Sequence, residues 1–175
     1  MLAGPLPKKI NFTQLAEDGR TLHWAVAIDR FDRLCQLGKP VDSDVPVSLK
    51  FTKGKNQRTT ATGTAAVTLE MVCQTCMEPM TVALEVAIHT SLVKDQDALD
   101  TLADEEDGTI VEFPFVDVVE LVEDELILAL PMVSRHVDSE CHAEWQQGMD
   151  EDLSVEPQDE DTHRPFADLS KLIDP

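Results

Sequence analysis

Two cysteines separated by two residues, Cys73 and Cys76, are the residues whose type and spacing point most directly to chemistry. A C-x2-C pair supplies half of the four nitrogen or sulfur ligands of a tetrahedral zinc site, or the dithiol of a redox protein. The second half of a zinc site would be Cys141 with either His136 or His142. The alternative without such chemistry is a turn that carries two reduced thiols, with exposed histidines nearby.

A redox role for the pair is the weaker of the two chemical interpretations. Redox dithiols lower the pKa of one thiol at a helix N-terminus. Here a β-rich run follows the cysteines, and the carboxylate of Glu78 lies close enough in sequence to disfavour a thiolate.

The element that must position the two thiols is a predicted hairpin. Apolar and polar residues alternate through two runs, residues 60–71 and residues 80–89, on either side of the cysteine pair. Period-two alternation is typical of a half-buried strand. The cysteines are therefore expected at or near the tip of an antiparallel hairpin.

The other elements predict an α+β fold with a mainly antiparallel sheet. Asp117 begins the clearest amphipathic helix, which Pro131 closes, and Asp29 is the expected N-cap of a shorter helix in which Cys35 is a core thiol. The acidic run 94–108 reads as a loop. The remaining predicted elements are a short helix that stops at Gly19 and strands over 22–28, 45–52 and 109–113.

Three parts are expected along the chain. Residues 1–147 form one α+β domain, and residues 148–164 have the composition of a disordered acidic linker. Residues 165–175 form a short amphipathic segment, whose Phe166 and Leu169 are candidates for docking on this chain's own core or on a partner.

Charge is divided unevenly along the chain, whose formal net charge is −20. Residues 1–60 hold ten Lys and Arg against six Asp and Glu, whereas residues 61–175 hold four against 28. An RNA contact is therefore expected in the first third, and the best basic patch is Lys50, Lys53, Lys55 and Arg58. The alternative is a solvated turn, and no aromatic residue other than Phe51 interleaves the patch to stack on unpaired bases.

An acidic stripe lies along the main predicted helix. Asp117, Glu120 and Asp124 have no Lys or Arg three or four residues further on to pair with them. A solvated helix face and a docking site for a basic protein partner are the two interpretations.

Membrane insertion and common catalytic classes receive no support from the sequence. The N-terminus lacks the apolar run of a signal peptide, so we expect a cytoplasmic protein that does not contact membranes. GxSxG, P-loop, HExxH and glycine-rich dinucleotide motifs are all missing from the sequence. The chain is therefore expected not to be an enzyme.

Three stretches of the chain resemble the YceD family, the large ribosomal RNA subunit accumulation proteins. They are LEMVCQTC at 69–76, VEDELILALP at 122–131 with the following 136–141, and PFADL at 165–169. The resemblance implies a bacterial cytosolic protein needed for accumulation of large-subunit rRNA, with no catalytic reaction. It also implies further cysteines after the helix in some relatives, where this chain has Cys141 among histidines.

Two hypotheses follow from these residues. The first is a non-enzymatic ribosome biogenesis factor that supports 23S rRNA accumulation, acting through its acidic face on a basic ribosomal protein or a pre-ribosomal large-subunit particle, or through its basic loop on rRNA. The second is a dithiol redox or zinc-handling protein centred on Cys73 and Cys76.

Overall fold

A mainly antiparallel sheet organises the chain in the computed structural model, which describes residues 6–19, 21–54, 58–103, 106–137 and 141. The strands are β1 (Ile10–Asn11), β2 (Thr21–Ala27), β3 (Lys39–Pro40), β4 (Asp44–Lys53), β5 (Thr59–Val72), β6 (Pro79–Val93), β7 (Gly108–Ile110) and β8 (Phe115–Val116). The helices are α1 (Phe12–Asp18), α2 (Asp32–Leu37), α3 (Gln96–Asp100) and α4 (Val118–Leu128).

The main sheet has the order β2-β4-β5-β6-β7, with the short β3 also paired to β5. All of these pairs are antiparallel except β6 with β7, which is parallel. A separate two-stranded ladder joins β1 to β8. The predicted α+β class with a mainly antiparallel sheet is confirmed.

Alternation along the strands decides which face of the sheet is buried. In β4 the side chains of Val45, Val47, Leu49 and Phe51 are buried, and the residues between them lie towards solvent. Helix α4 packs on the sheet against β5 and β6, and buries an apolar stripe that includes Val122 and Leu126. The core therefore lies between this helix and one face of the sheet.

Two helix ends follow the local sequence closely. Asn11 caps α1, since its side-chain oxygen accepts a hydrogen bond from the Gln14 backbone N–H at 3.2 Å. The helix ends at Gly19, whose φ of 60° is left-handed. Asp117 caps α4 in the same way, through the backbone N–H groups of Val119 and Glu120.

The helix predicted from Arg30 begins later than expected, and the prediction of Asp29 as its cap is wrong. Residues 28–30 form a 3-10 turn, and α2 starts at Asp32. Its cap comes from α4, because Glu123 Oε1 accepts hydrogen bonds from the backbone N–H groups of Arg33 at 2.8 Å and Leu34 at 3.1 Å. A carboxylate supplied by another element has no local sequence signal.

Two further expectations are corrected. The segment 94–108 is not only a loop, because Asp95 caps the short helix α3 through the Ala98 backbone N–H. Cys35 is only partly buried, and its thiol lies 3.5 Å from the carbonyl oxygen of Ile28, to which it donates a hydrogen bond.

The described residues between Leu6 and Val137, with Cys141, carry the fold just described. The predicted domain boundary after residue 147, the acidic linker and the C-terminal Phe166 and Leu169 lie outside the described residues. Within the part of the chain that the structure describes, no helix is long and apolar enough to cross a membrane.

Candidate functional site

The turn between β5 and β6 holds the two cysteines of the C-x2-C pair. β5 and β6 pair in antiparallel register from Thr59 opposite Leu92 to Val72 opposite Pro79, and residues 73–78 connect them. Cys73 closes the turn with its backbone, since its N–H donates to the Glu78 carbonyl and its own carbonyl accepts from Met77, each at 2.9 Å. This geometry folds the chain so that Cys76 returns towards Cys73.

Met77 adopts a backbone conformation that favours glycine. Its φ is 62°, in the left-handed region, and its side chain is exposed. We expect Met77→Gly to stabilise the protein by about 1 kcal/mol, because glycine pays no Cβ penalty there and the methionine packs little. Denaturant unfolding measures this, with Gln74→Gly, a turn substitution at an ordinary φ, as the destabilising control. Equal destabilisation by both changes would contradict the expectation.

Four side chains converge beside this turn. The ligand atoms of Cys73, Cys76, His136 and Cys141 all lie within 4.8 Å of one another. The sulfurs of Cys73 and Cys141 are 4.0 Å apart, and Cys76 Sγ lies 3.3 Å from Nδ1 of His136. In tetrahedral zinc sites, bond lengths near 2.1–2.3 Å separate the ligand atoms by roughly 3.5–3.8 Å. The cluster is therefore close to zinc geometry.

Neighbouring backbone groups orient the ligands of this cluster, which we call the Cys3His cluster. Nε2 of His136 lies 3.3 Å from the carbonyl oxygen of Pro79, which places the ring proton on Nε2 and leaves the lone pair of Nδ1 directed at the sulfurs. The backbone N–H groups of Thr75 and His136 point to Cys73 Sγ at 3.4 and 3.5 Å. Such contacts support a ligand set for a soft divalent cation, with three sulfurs and one nitrogen.

The electrostatics of the thiols agree with this interpretation. Burial opposes ionisation of Cys73, but hydrogen bonds from the backbones of Cys76, His136 and Thr75 prevail and lower its pKa to about 5. Burial and the adjacent sulfurs of Cys76 and Cys73 raise the pKa of Cys141 to about 11. Several thiolates at this spacing repel one another, and a bound divalent cation removes that repulsion.

The same geometry is unfavourable for thiol–disulfide exchange. The cysteines of the cluster are free thiols, and the sulfurs of Cys73 and Cys141 are 4.0 Å apart. Cys73 is buried, which hinders attack by a partner thiol, whereas Cys76 is only partly buried. The pKa of Cys73, lowered to about 5, contradicts the expectation that Glu78 disfavours a thiolate at the pair. His142, the alternative nitrogen ligand, lies outside the described residues.

The residues of the predicted basic loop lie in two places. Lys50 lies on the solvent face of β4, in register with Thr21 and Thr62. Lys53 and Arg58 instead line a cleft of about 350 Å³ at the end of β4 and β5. Lys55 lies outside the described residues.

Two residues that sequence reasoning missed line the same cleft. They are Lys94, just after β6, and Phe113, just before β8. Phe113 is 62% exposed and contacts the buried ring of Phe12 edge-on, with ring centroids 5.6 Å apart. No local signal links Phe113 to Arg58, because the β1–β8 ladder brings them together.

Tertiary contacts divide the acidic stripe of α4. Asp117 is the N-cap, and Asp124 forms an ion pair with Arg33 at 2.8 Å. Glu120 remains exposed and lines a second cleft with Lys9 and Glu112, which are themselves paired. The sequence has no Lys or Arg three or four residues after these acids, and the cation that pairs with Asp124 comes from α2 instead. Docking of a basic partner on this stripe stays a prediction.

Comparison with known proteins identifies the family. Residues 61–173 match the model of the family described as "Large ribosomal RNA subunit accumulation protein YceD". The chain is 32% identical over 151 residues to a protein of that name from Haemophilus influenzae, with 83% of each chain covered. This chain belongs to the YceD family. No solved structure matches it.

The YceD match includes all four residues of the Cys3His cluster, together with most of β5 and all of β6 and α4. We call the cleft lined by Lys53, Arg58, Lys94 and Phe113 the cationic cleft. Lys94 and Phe113 lie within the matched residues 61–173, whereas Lys53 and Arg58 lie before residue 61. The elements that position the candidate metal centre are therefore those that the family model describes.

Proposed function

We propose that this YceD protein supports the accumulation of large-subunit rRNA as a non-catalytic factor, by binding precursor large-subunit particles in the cytoplasm. The observation that carries the proposal is the family match over residues 61–173, which contains most of the main sheet and helix α4. A precursor particle offers basic ribosomal proteins to the acidic surface, consistent with the charge of −20.

Zinc at the Cys3His cluster is the second part of the proposal. Cys73, Cys76, His136 and Cys141 would hold the ion, which supplies structural cross-linking between the hairpin turn and the segment after α4. Catalytic zinc sites keep an open coordination position, whereas four protein ligands close the sphere. The closed ligand set therefore favours a structural site.

Depletion of the protein in its own cells tests the assembly role. We expect the ratio of large- to small-subunit rRNA to fall in a sucrose gradient, and the tagged protein to sediment with particles smaller than the mature large subunit. Wild-type chain supplied from a plasmid should restore the ratio. An unchanged ratio on depletion, with the tagged protein at the top of the gradient, contradicts the proposal.

A further inference from the structure

The cleft at the end of β4 and β5 concentrates positive charge on an otherwise acidic protein. Lys53, Arg58 and Lys94 line it, although the chain has only 14 lysines and arginines against 34 acids. Among the described residues, no aspartate or glutamate lines this cleft. Three cations lining one cleft attract an anionic ligand against the repulsion of the rest of the surface.

The cations are held near the cleft by exchangeable partners. Arg58 donates a hydrogen bond to Thr101 Oγ1 at 2.7 Å, which fixes its guanidinium at the rim. Lys53 pairs with Glu17 at 2.9 Å and Lys94 with Asp95 at 3.3 Å, and all four side chains are at least 43% exposed. Exposed ion pairs of this kind contribute little to stability, so a phosphate can replace the carboxylate at low cost.

Apolar and aromatic surface faces the same cleft. Phe12, Leu92 and Phe113 line it together with the cations. The Phe113 segment is anchored, because the Phe12 backbone N–H donates to the Pro114 carbonyl at 3.2 Å and the two phenylalanine rings meet edge-on. A fixed, exposed ring beside phosphate-binding cations is the arrangement that binds unpaired nucleotides, by stacking and by charge.

We propose that this cleft binds an unpaired nucleotide of single-stranded RNA, with its base on Phe113 and its phosphates at Lys53, Arg58 and Lys94. The volume of about 350 Å³ suits a ligand of that size. The aromatic ring favours RNA over an acidic peptide, because an acidic peptide would contact the cations without stacking on the ring. The inference rests on the proposed role in rRNA accumulation for its setting, and it names the contact through which the protein would reach rRNA.

Fluorescence anisotropy with the full chain and a labelled single-stranded oligouridylate tests the cleft. We expect Phe113→Leu to weaken binding about tenfold, from the loss of one base stack. Phe115→Leu is the matched control, since Phe115 is also partly exposed but lines a different cleft. Equal affinities for the two variants overturn the proposal, provided that circular dichroism shows both to be folded.

Salt dependence tests the phosphate contacts separately. Lys53→Gln with Lys94→Gln should reduce the slope of log affinity against log salt by about 0.7 for each lysine, whereas Lys50→Gln on the other face of β4 should leave the slope unchanged. Displacement of the RNA by polyglutamate, with no effect of Phe113→Leu, would instead assign the cleft to an acidic peptide and overturn the proposal.

Complementation separates this inference from the proposed function. If Phe113→Leu binds oligouridylate about tenfold more weakly and also fails to restore the rRNA ratio in depleted cells, both are supported. If the wild-type chain does not bind oligouridylate at low salt and Phe113→Leu fully restores the ratio, the nucleotide site is overturned and the assembly role stands. A depleted cell with a normal ratio overturns the assembly role, whatever the oligouridylate result.

Discussion

Cys73→Ser is expected to abolish stoichiometric zinc binding and to lower the melting temperature by roughly 10 °C. Cys73 is the fully buried member of the Cys3His cluster, and its sulfur accepts two backbone N–H groups. A metal present at a thousand times its dissociation constant stabilises the folded state by about 4 kcal/mol. In a chain of this length each kcal/mol corresponds to roughly 2–4 °C.

Metal analysis of the purified chain and thermal unfolding with and without a chelator measure this effect. The chelator should lower the melting temperature of the wild-type chain and leave that of Cys73→Ser unchanged, since the variant has no site to empty. Cys35→Ser is the matched control, because Cys35 is a thiol outside the cluster whose hydrogen bond to Ile28 a serine can also make. Equal zinc content in the wild-type chain and Cys73→Ser would refute the metal site.

Glu123→Ala is expected to cost about 3 kcal/mol of folding free energy. The carboxylate of Glu123 is only 7% exposed and accepts three hydrogen bonds, from the backbone N–H groups of Arg33 and Leu34 and from Nε of Arg33. Its removal leaves the first turn of α2 without a cap and breaks a partly buried charge pair. Chemical denaturation followed by circular dichroism gives the difference directly.

Asp124→Ala is the control for Glu123→Ala. Asp124 pairs with the same arginine at 2.8 Å, but both side chains are about half exposed, so its loss should cost less than about 1 kcal/mol. Glu123→Gln should fall between the two, since an amide oxygen can still accept from a backbone N–H. If Glu123→Ala were no more destabilising than Asp124→Ala, the capping role would be wrong.

Local patterns were sufficient to predict the main elements of the fold. Alternation on either side of the cysteine pair predicts strands that the structure extends over Thr59–Val72 and Pro79–Val93. The main helix is predicted to begin at Asp117, and α4 begins one residue later, at Val118, with Asp117 as its cap. Strand alternation and N-caps can be read from a sequence because they depend on residues that are close along the chain.

Features that depend on distant residues were missed. Glu123 caps α2 from 90 positions later in the chain. The residues near Asp29 therefore do not indicate where α2 begins. Phe113 reaches the cationic cleft through the β1–β8 ladder, which consists of only two residues on each side. Proximity in sequence predicts that Lys50 and Lys53 belong to one patch, whereas an odd separation along a strand puts them on opposite faces.

The ligand set of the Cys3His cluster combined both kinds of information. Cys73 and Cys76 were recognisable from their spacing, and Cys141 with His136 or His142 was proposed from residue type alone. The structure brings His136 and Cys141 to the pair. The deciding contacts, such as the Pro79 carbonyl at Nε2 of His136, depend on the end of β6 meeting the segment after α4 and leave no sequence signal.

The separation of the two halves of the Cys3His cluster along the chain has a consequence for biosynthesis. Cys73 and Cys76 leave the ribosome first, with only half of the ligands, and His136 and Cys141 follow after α4. A nascent or truncated chain that stops before residue 136 contains both strands of the hairpin but lacks half of the ligands of the Cys3His cluster. All four ligands are therefore present only after residue 141 has been synthesised, so translation order delays assembly of the cluster until after α4 has been made.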